Sequence, residues 1–158
     1  MGNYVLVVLI GSSERYAIAE ELKRRFGYTV IPTETTRLRR ENEATDETVF
    51  VSQTEYKAKI SADKYLDAFT QTSISYGFDK DTILTSLSEG NCVICIQDPF
   101  QVQGLYNHCL YCFVIDSIES ERQRAQQLMA QDIPFVDIEL KGTTEAADKI
   151  VSYICNKL

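Results

Sequence analysis

Short apolar segments alternate with amphipathic segments along most of the chain. Residues 4–10 form an unbroken apolar run, and residues 91–97 and 110–116 are nearly as apolar. Between such runs, apolar residues recur at the spacing of one helix face, as in residues 14–26. Strands of a parallel sheet are buried on both faces, so they read as continuous apolar runs. The pattern therefore predicts an α/β fold with a parallel sheet between two layers of helices.

The same pattern gives the expected order of elements. We predict strands at residues of about 4–10, 28–32, 91–97, 110–116 and 134–139. We predict helices near residues 14–26, 53–61, 79–89, 117–131 and 143–157. Asp79 is suited to cap the third helix, because its carboxylate can accept hydrogen bonds from the free N–H groups of a first turn.

Residues 33–77 interrupt the alternation of strands and helices. Residues 33–47 are mostly polar, and they are followed by a short strand pattern at 49–51, a helix pattern and a strand-like stretch at 65–76. We expect a small mixed α/β lobe here, inserted after the second strand. A length of 158 residues suits one domain with its own core, so we predict a single domain, 1–158, that contains this lobe.

Charge and composition exclude several classes of protein. The net charge is −7, from 16 basic and 23 acidic residues, which argues against general nucleic-acid binding. No apolar run approaches the length of a membrane span. The five cysteines are an odd number without a secretion signal, which is typical of free thiols in a reducing compartment. We therefore expect a cytoplasmic protein that binds neither nucleic acid nor a membrane.

Two Cys-x-x-Cys pairs, Cys92 with Cys95 and Cys109 with Cys112, have a spacing close to that of zinc ribbons. Both pairs lie in predicted apolar strands, where residues three apart point to opposite faces. The two cysteines of a pair therefore cannot hold one ion together, and we interpret them as core residues and expect no bound metal. The single histidine, His108, is interpreted as a loop residue.

The turn at Gly11, Ser12 and Ser13 stands where a nucleotide-binding loop would begin. It joins the first apolar run to a helix pattern, and a P-loop has the sequence Gly-x-x-x-x-Gly-Lys-[Ser/Thr]. The second glycine, the lysine and the hydroxyl residue are replaced by Tyr16, Ala17 and Ile18. We interpret the segment as a degenerate P-loop. The alternative is a plain strand-to-helix turn in which Ser13 caps the helix.

The middle region resembles the guanylate kinase family. Residues 33–40, Thr-Glu-Thr-Thr-Arg-Leu-Arg-Arg, resemble its Ser-x-Thr-Thr-Arg-x-Pro-Arg motif. Residues 49–52 resemble its Tyr-x-Phe-Val-Ser strand, and residues 65–67 and 76–77 resemble its Phe-[Ile/Leu]-Glu and Tyr-Gly-[Thr/Ser] steps. The resemblance covers most of the chain. It implies a P-loop-NTPase-like three-layer fold with a five-stranded parallel sheet, whose inserted lobe, at about 33–77, binds the phosphate acceptor.

The resemblance also implies a set of ligand-binding residues. In this family the acceptor site binds GMP, and Arg37 and Arg40 would clamp its phosphate, since arginine forks match phosphate oxygens. Thr33 replaces the serine that assists them, and Tyr76 would reach the same phosphate. Asp67 replaces the glutamate that reads guanine, and its side chain is one methylene shorter.

At other positions of the family motifs, this chain lacks the functional side chains of the family. A second phosphate-binding tyrosine falls on Thr48, and the two acidic residues of an Asp-x-Asp strand fall on Cys95 and Gln97. The segment from Arg124 to Pro134 leaves no room for the family's arginine-rich lid. Phosphoryl transfer depends on charge neutralisation by lysine, arginines and Mg²⁺, so these losses argue against a catalytic role.

Plainer interpretations exist for the retained residues as well. Arg37, Arg39 and Arg40 could belong to a solvated loop. Tyr76 could be a packed aromatic residue, and Asp67 a surface carboxylate.

Three functions follow, in order of preference. The first is a guanylate-kinase-like pseudoenzyme that binds GMP or a phosphorylated peptide, with no catalytic residues and no cofactor. The kinase-like domains of membrane-associated guanylate kinase scaffolds offer a parallel, since they lost catalysis and bind phosphorylated peptides. The second is a divergent, active guanylate kinase-type enzyme, which would need ATP and Mg²⁺. The third is a protein-interaction module that uses an unrelated surface.

Overall fold

A computed structural model describes residues 4–11, 14–41, 48–96, 105, 111–115, 126–130, 132, 134–138 and 141–157. The strands are β1 (Leu6–Gly11), β2 (Thr29–Ile31), β3 (Thr33–Thr35), β4 (Thr48–Phe50), β5 (Tyr65–Gln71), β6 (Ile74–Asp79), β7 (Cys92–Ile96), β8 (Tyr111–Ile115) and β9 (Val136–Ile138). The helices are α1 (Glu14–Phe26), α2 (Gln53–Ser61), α3 (Lys80–Glu89) and α4 (Thr143–Lys157), and residues 126–130 are also helical.

The first sheet has five parallel strands in the order β2-β7-β1-β8-β9. Its central strand, β1, is completely buried. One face of this strand, with Val7 and Leu9, packs against apolar residues of α1 and α4. The other face, with Leu6 and Val8, packs against Ile83 of α3. The predicted parallel sheet with helices on both faces is confirmed.

The second sheet is mixed, with the order β4-β3-β6-β5. Strands β3 and β4 are parallel, whereas β6 pairs with β3 and β5 in the antiparallel direction. The stretch predicted as strand-like at 65–76 is a hairpin, with Thr72 and Ser73 at its turn. Both turn residues have positive φ values, 52° and 66°, as the tightest hairpin turns require. Phe78 of β6 joins this sheet to the core of the first sheet.

Strand β3 was missed by the sequence interpretation, which assigned residues 33–47 to a polar segment. The strand has the sequence Thr-Glu-Thr, yet Glu34 and Thr35 are buried. Buried polar side chains are tolerated where they find hydrogen-bond partners. Here Glu34 bonds to Lys59, and the Thr35 hydroxyl donates to the carbonyl of Ser75 at 3.0 Å. Those partners come from later elements, so local sequence could not reveal the strand.

Helix starts follow their sequence signals. Ser52 and Glu55 form a capping box at the start of α2, in which each side chain accepts from the other residue's backbone N–H. Asp79 caps α3 by accepting from the backbone N–H of Thr82 at 2.8 Å, as predicted. The predicted helix at 117–131 lies largely outside the described residues. None of the helices within the described ranges is long and apolar enough to cross a membrane.

Gly11 is required by the packing of β1 against β8. Its φ is +142°, and a Cβ atom placed on it would lie 1.8 Å from the carbonyl oxygen of Ile115, its cross-strand partner. Only glycine leaves room for this approach, because every other residue carries a Cβ atom. The glycine that opens the predicted loop therefore has a structural role whether or not a phosphate binds there.

We expect Gly11→Ala to lower the free energy of unfolding by on the order of 3 kcal/mol or more, from backbone strain and the clash with Ile115. Urea unfolding measures this loss. The control is Gly142→Ala, where an added Cβ meets nothing within 4 Å, and which should change stability by less than about 0.5 kcal/mol. Equal stability of the two variants would contradict the close approach of β1 and β8.

Candidate functional site

One face of the second sheet carries most of the predicted acceptor residues. Directly paired residues of neighbouring strands share a face, and so do alternate residues of one strand. Thr35 pairs with both Phe50 and Tyr76, Tyr76 pairs with Phe69, and Asp67 pairs with Phe78. We call this the acceptor face, defined by Thr33, Thr35, Phe50, Asp67, Phe69, Tyr76 and Phe78. Three predicted residues, Thr33, Asp67 and Tyr76, thus lie on one surface.

Arg37 reaches the acceptor face from the end of β3. Its backbone N–H donates to the Thr35 hydroxyl at 3.2 Å, and its guanidinium lies 5.3 Å from the centre of the Phe50 ring. The guanidinium also donates to the carbonyl of Leu38 at 3.1 Å. Arg40 is exposed, three residues further along. The convergence of Arg37, Arg40 and Tyr76 on one anion stays a prediction.

Tyr76 is packed as an aromatic residue within the acceptor face. Its ring stacks on Phe69, with centroids 5.0 Å apart and planes 20° apart. Its carbonyl accepts a hydrogen bond from the Tyr56 hydroxyl of α2 at 3.0 Å. The residue is only half-buried, so the packing does not enclose it. Stacking limits the positions that the phenol can take, which suits a residue meant to contact a ligand in one geometry.

Asp67 lies in β5, where the register of the pairing with β6 shifts between Tyr65 and Asp67. Its carboxylate accepts a short hydrogen bond from the backbone N–H of Leu105. Leu105 belongs to the segment between β7 and β8 and is fully buried. The residue predicted to read guanine therefore already binds the protein's own backbone.

The opposite face of the second sheet carries a charged cluster that the sequence interpretation missed. The Lys59 ammonium of α2 lies 2.8 and 2.9 Å from the two carboxylate oxygens of Glu34, and it also bonds to Asp79. The Tyr65 hydroxyl donates to Glu34 at 2.8 Å. The cluster joins β3, α2, β5 and the start of α3. The sequence carried no signal for this cluster, because β3 itself was not predicted and the partners of Glu34 come from distant elements.

The pKa values of this cluster follow from burial and from its hydrogen bonds. Burial raises the pKa of the Tyr65 phenol, and the Glu34 carboxylate raises it further. Burial would also raise the pKa of Asp79, but hydrogen bonds from Lys59 and Thr82 outweigh it and hold that pKa below its usual value. Burial would lower the pKa of Lys59, yet its bonds to the two carboxylates hold that pKa above its usual value. Both pKa shifts favour the charged forms of Lys59 and Asp79 at neutral pH.

The turn after β1 differs from a P-loop in its helix start. In a P-loop the glycine-rich loop separates the strand from the helix. Here α1 begins at Glu14, so Arg15 and Tyr16 are helical, although the P-loop pattern from Gly11 would place them in that loop. Ser12 and Ser13 lie outside the described residues.

Arg15 is a second feature that the sequence interpretation missed. It is buried, and its guanidinium donates to the carbonyl of Gly11 at 2.8 Å and to the Tyr16 hydroxyl at 3.0 Å. The guanidinium also lies 4.3 Å from the centre of the Tyr16 ring. The backbone carbonyl of Arg15 accepts from the Cys95 thiol of β7 at 3.6 Å. The Arg15 side chain thus bonds back to the end of β1, in the part of the chain where a P-loop would present backbone N–H groups to a phosphate.

The described cysteines of the two Cys-x-x-Cys pairs are core residues. Cys92 and Cys112 pack on one face of the first sheet and Cys95 on the other, as the strand geometry predicted. Burial raises the pKa of Cys92 to about 11. Within the described ranges, no three His, Cys, Asp or Glu side chains are grouped to hold a metal ion. Cys109 and His108 lie outside those ranges.

Comparison with known proteins identifies the family. The family model for guanylate kinase matches residues 5–141. The chain belongs to the guanylate kinase family. Its fold is similar to the crystal structure of guanylate kinase from Anaplasma phagocytophilum, with a TM-score of 0.69 and 18% sequence identity, over 98% of this chain and 85% of that one. No match was found among curated proteins. The family and the P-loop-NTPase-like fold predicted from the sequence are confirmed.

We expect Lys59→Met to lower the free energy of unfolding at neutral pH by about 1–3 kcal/mol, because two carboxylates lose their shared cation. The folded-state pKa of Asp79 lies below the ordinary value of 3.8, so its stabilisation is present above that pH and is lost as the pH falls through the lower folded-state value. The difference between wild type and variant should therefore shrink in acid.

Urea unfolding of both proteins at about pH 7 and about pH 3 measures this effect. Lys57→Met is the matched control, because Lys57 is exposed on the same helix. A Lys59→Met protein as stable as wild type at neutral pH would contradict a stabilising role for the cluster.

Proposed function

We propose that this guanylate-kinase family protein binds a phosphate monoester, GMP or a phosphorylated side chain, and does not transfer phosphate from ATP. The observation that carries the proposal is the contrast between the family's two sites. On the acceptor face Arg37 lies against the ring of Phe50, whereas after β1 Ala17 stands where a P-loop has its lysine and Arg15 bonds to the carbonyl of Gly11.

The acceptor side supports phosphate binding. Arg37 is anchored through its backbone to Thr35 and lies against Phe50, so its position is set by β3 and β4. Thr33 and Tyr76 lie on the same face and can add hydroxyl donors. Charge-assisted bonds from a guanidinium to a phosphate are among the strongest hydrogen bonds that a protein surface offers. In a protein of net charge −7, such a site depends on this local positive charge.

The donor side supports the absence of ATP chemistry. Ala17 replaces the lysine that would contact the transferred phosphate, and Cys95 replaces an acidic residue of the family and is buried in β7. In a P-loop the residue after the lysine provides a hydroxyl for Mg²⁺. That position is Ile18, which is fully buried and offers no oxygen ligand. The residues present therefore do not fit a nucleotide-bound Mg²⁺ at this turn.

An active kinase is the second candidate, because the family match spans both the donor turn and the acceptor lobe. Arg15 would then have to replace the missing lysine as the cation of the donor site. Its bonds to Gly11 and Tyr16 would have to break first, which makes this candidate the weaker one.

We expect no GDP to form when the protein is incubated with GMP, ATP and Mg²⁺, since positioning and charge neutralisation supply nearly all of the catalysis in phosphoryl transfer. A coupled assay of ATP consumption, with product separation, measures this. The control reaction contains no protein. GDP above that control, absent with the Arg37→Ala variant, would establish the active kinase.

We expect Arg37→Ala to weaken the binding of GMP and of inorganic phosphate by about 10- to 150-fold, the loss of one charge-assisted contact. Binding should also weaken with added salt. Calorimetry measures the dissociation constants. Arg24→Ala is the matched control, because Arg24 is an exposed arginine on α1 paired with Glu21. Equal affinities for wild type and Arg37→Ala, or no binding at millimolar ligand, would favour an interaction module that uses another surface.

A further inference from the structure

We infer that Asp67 is a positioning residue of the fold and that the acceptor site takes phosphate monoesters without selecting guanine. The inference rests on the proposed function and narrows its ligand class. It begins from the hydrogen bond between the Asp67 carboxylate and the backbone N–H of Leu105, which joins the second sheet to the segment between β7 and β8.

The Leu105 end of this bond is anchored in the core. Leu105 is fully buried and packs with Leu6, Val8 and Phe78 in the apolar cluster between the two sheets. A buried backbone N–H needs a hydrogen-bond partner, since leaving it without one costs the full desolvation of the group. Asp67 supplies that partner, so its carboxylate is bonded to the backbone of a fully buried residue.

Guanine recognition needs more than this carboxylate can offer. The Watson–Crick edge of guanine presents two adjacent N–H donors, which a carboxylate can accept with its two oxygens. One oxygen of Asp67 is bonded to Leu105, and the side chain is one methylene shorter than the glutamate of the family motif. Bonded to Leu105 and shorter than the family's glutamate, Asp67 is poorly placed to accept from both donors of a base.

The segment proposed to bind phosphate carries more positive charge than the family motif. The family motif has proline between its two arginines, where this chain has Arg39, so residues 37–40 carry three arginines. Arg39 is exposed and adds positive charge to the segment that holds Arg37. Recognition therefore shifts from the base to the phosphate, and GMP, AMP and a phosphorylated side chain become comparable ligands.

The variants Asp67→Asn and Asp67→Ala distinguish two roles of Asp67, the reading of guanine and the hydrogen bond to Leu105. Asparagine keeps an oxygen that can accept from Leu105 but cannot present two acceptors to guanine, whereas alanine loses both functions. Asp81→Ala is the matched control, because Asp81 is a highly exposed carboxylate on α3. Calorimetry with GMP and with AMP gives the base preference, and NMR hydrogen exchange of the Leu105 amide reports the positioning role.

We expect wild type to bind GMP and AMP with dissociation constants within about threefold of each other, and Asp67→Asn to keep that ratio. Exchange of the Leu105 amide should be faster by about tenfold or more in Asp67→Ala, and close to wild type in Asp67→Asn and Asp81→Ala.

A preference for GMP over AMP of about 10- to 100-fold that Asp67→Asn abolishes would overturn this inference alone, because such a preference is what direct base reading gives. Unchanged exchange of Leu105 in Asp67→Ala would also overturn it. The absence of binding by GMP, AMP and inorganic phosphate would overturn the proposed function, and with it the ligand class inferred here.

Discussion

The close pairing of β1 with β7 and β8 is the constraint on which the rest of the structure depends. A strand buried on both faces must be covered on both faces, so α1 and α4 pack on one side of the sheet and α3 on the other. The approach of β1 to β8 also requires glycine at position 11. Packing alone thus accounts for the glycine, which is therefore no evidence of nucleotide binding.

The two faces of the second sheet differ in how far their polar groups are bonded within the protein. On the face that carries the charged cluster, the polar groups of Glu34, Asp79 and Tyr65 are bonded within the protein, with Lys59 of α2 as the shared cation. The acceptor face carries a half-buried tyrosine and the guanidinium of Arg37 beside an aromatic ring. The charged cluster binds Glu34 of β3 on the opposite face of the sheet, and Arg37 lies two residues after the end of β3. The position of Arg37, the arginine proposed to bind phosphate, thus depends in part on ion pairs on the opposite face of the sheet.

Two polar side chains, Arg15 at the start of α1 and Asp67 of β5, are hydrogen-bonded to the protein's own backbone. The Arg15 guanidinium donates to the carbonyl of Gly11, and the Asp67 carboxylate accepts from the amide of Leu105. Each bond satisfies a polar group that would otherwise be buried without a partner. Internal bonds of this kind stabilise a fold while withdrawing its side chains from binding.

The sequence alone determined the elements whose signals are local. Apolar runs at 4–10 and 91–97 predicted buried strands, helical spacing at 14–26 predicted α1, and Asp79 was correctly expected to cap α3. Motif spacing in residues 33–77 indicated the family, which the family model confirms, whereas the acceptor residues stay a prediction. Only the tertiary structure revealed β3 as a buried strand, the Lys59 cluster, and the bonds of Arg15 and Asp67. The reason is physical: a polar side chain becomes structural when distant residues supply its partners, and no local pattern records which residues will meet.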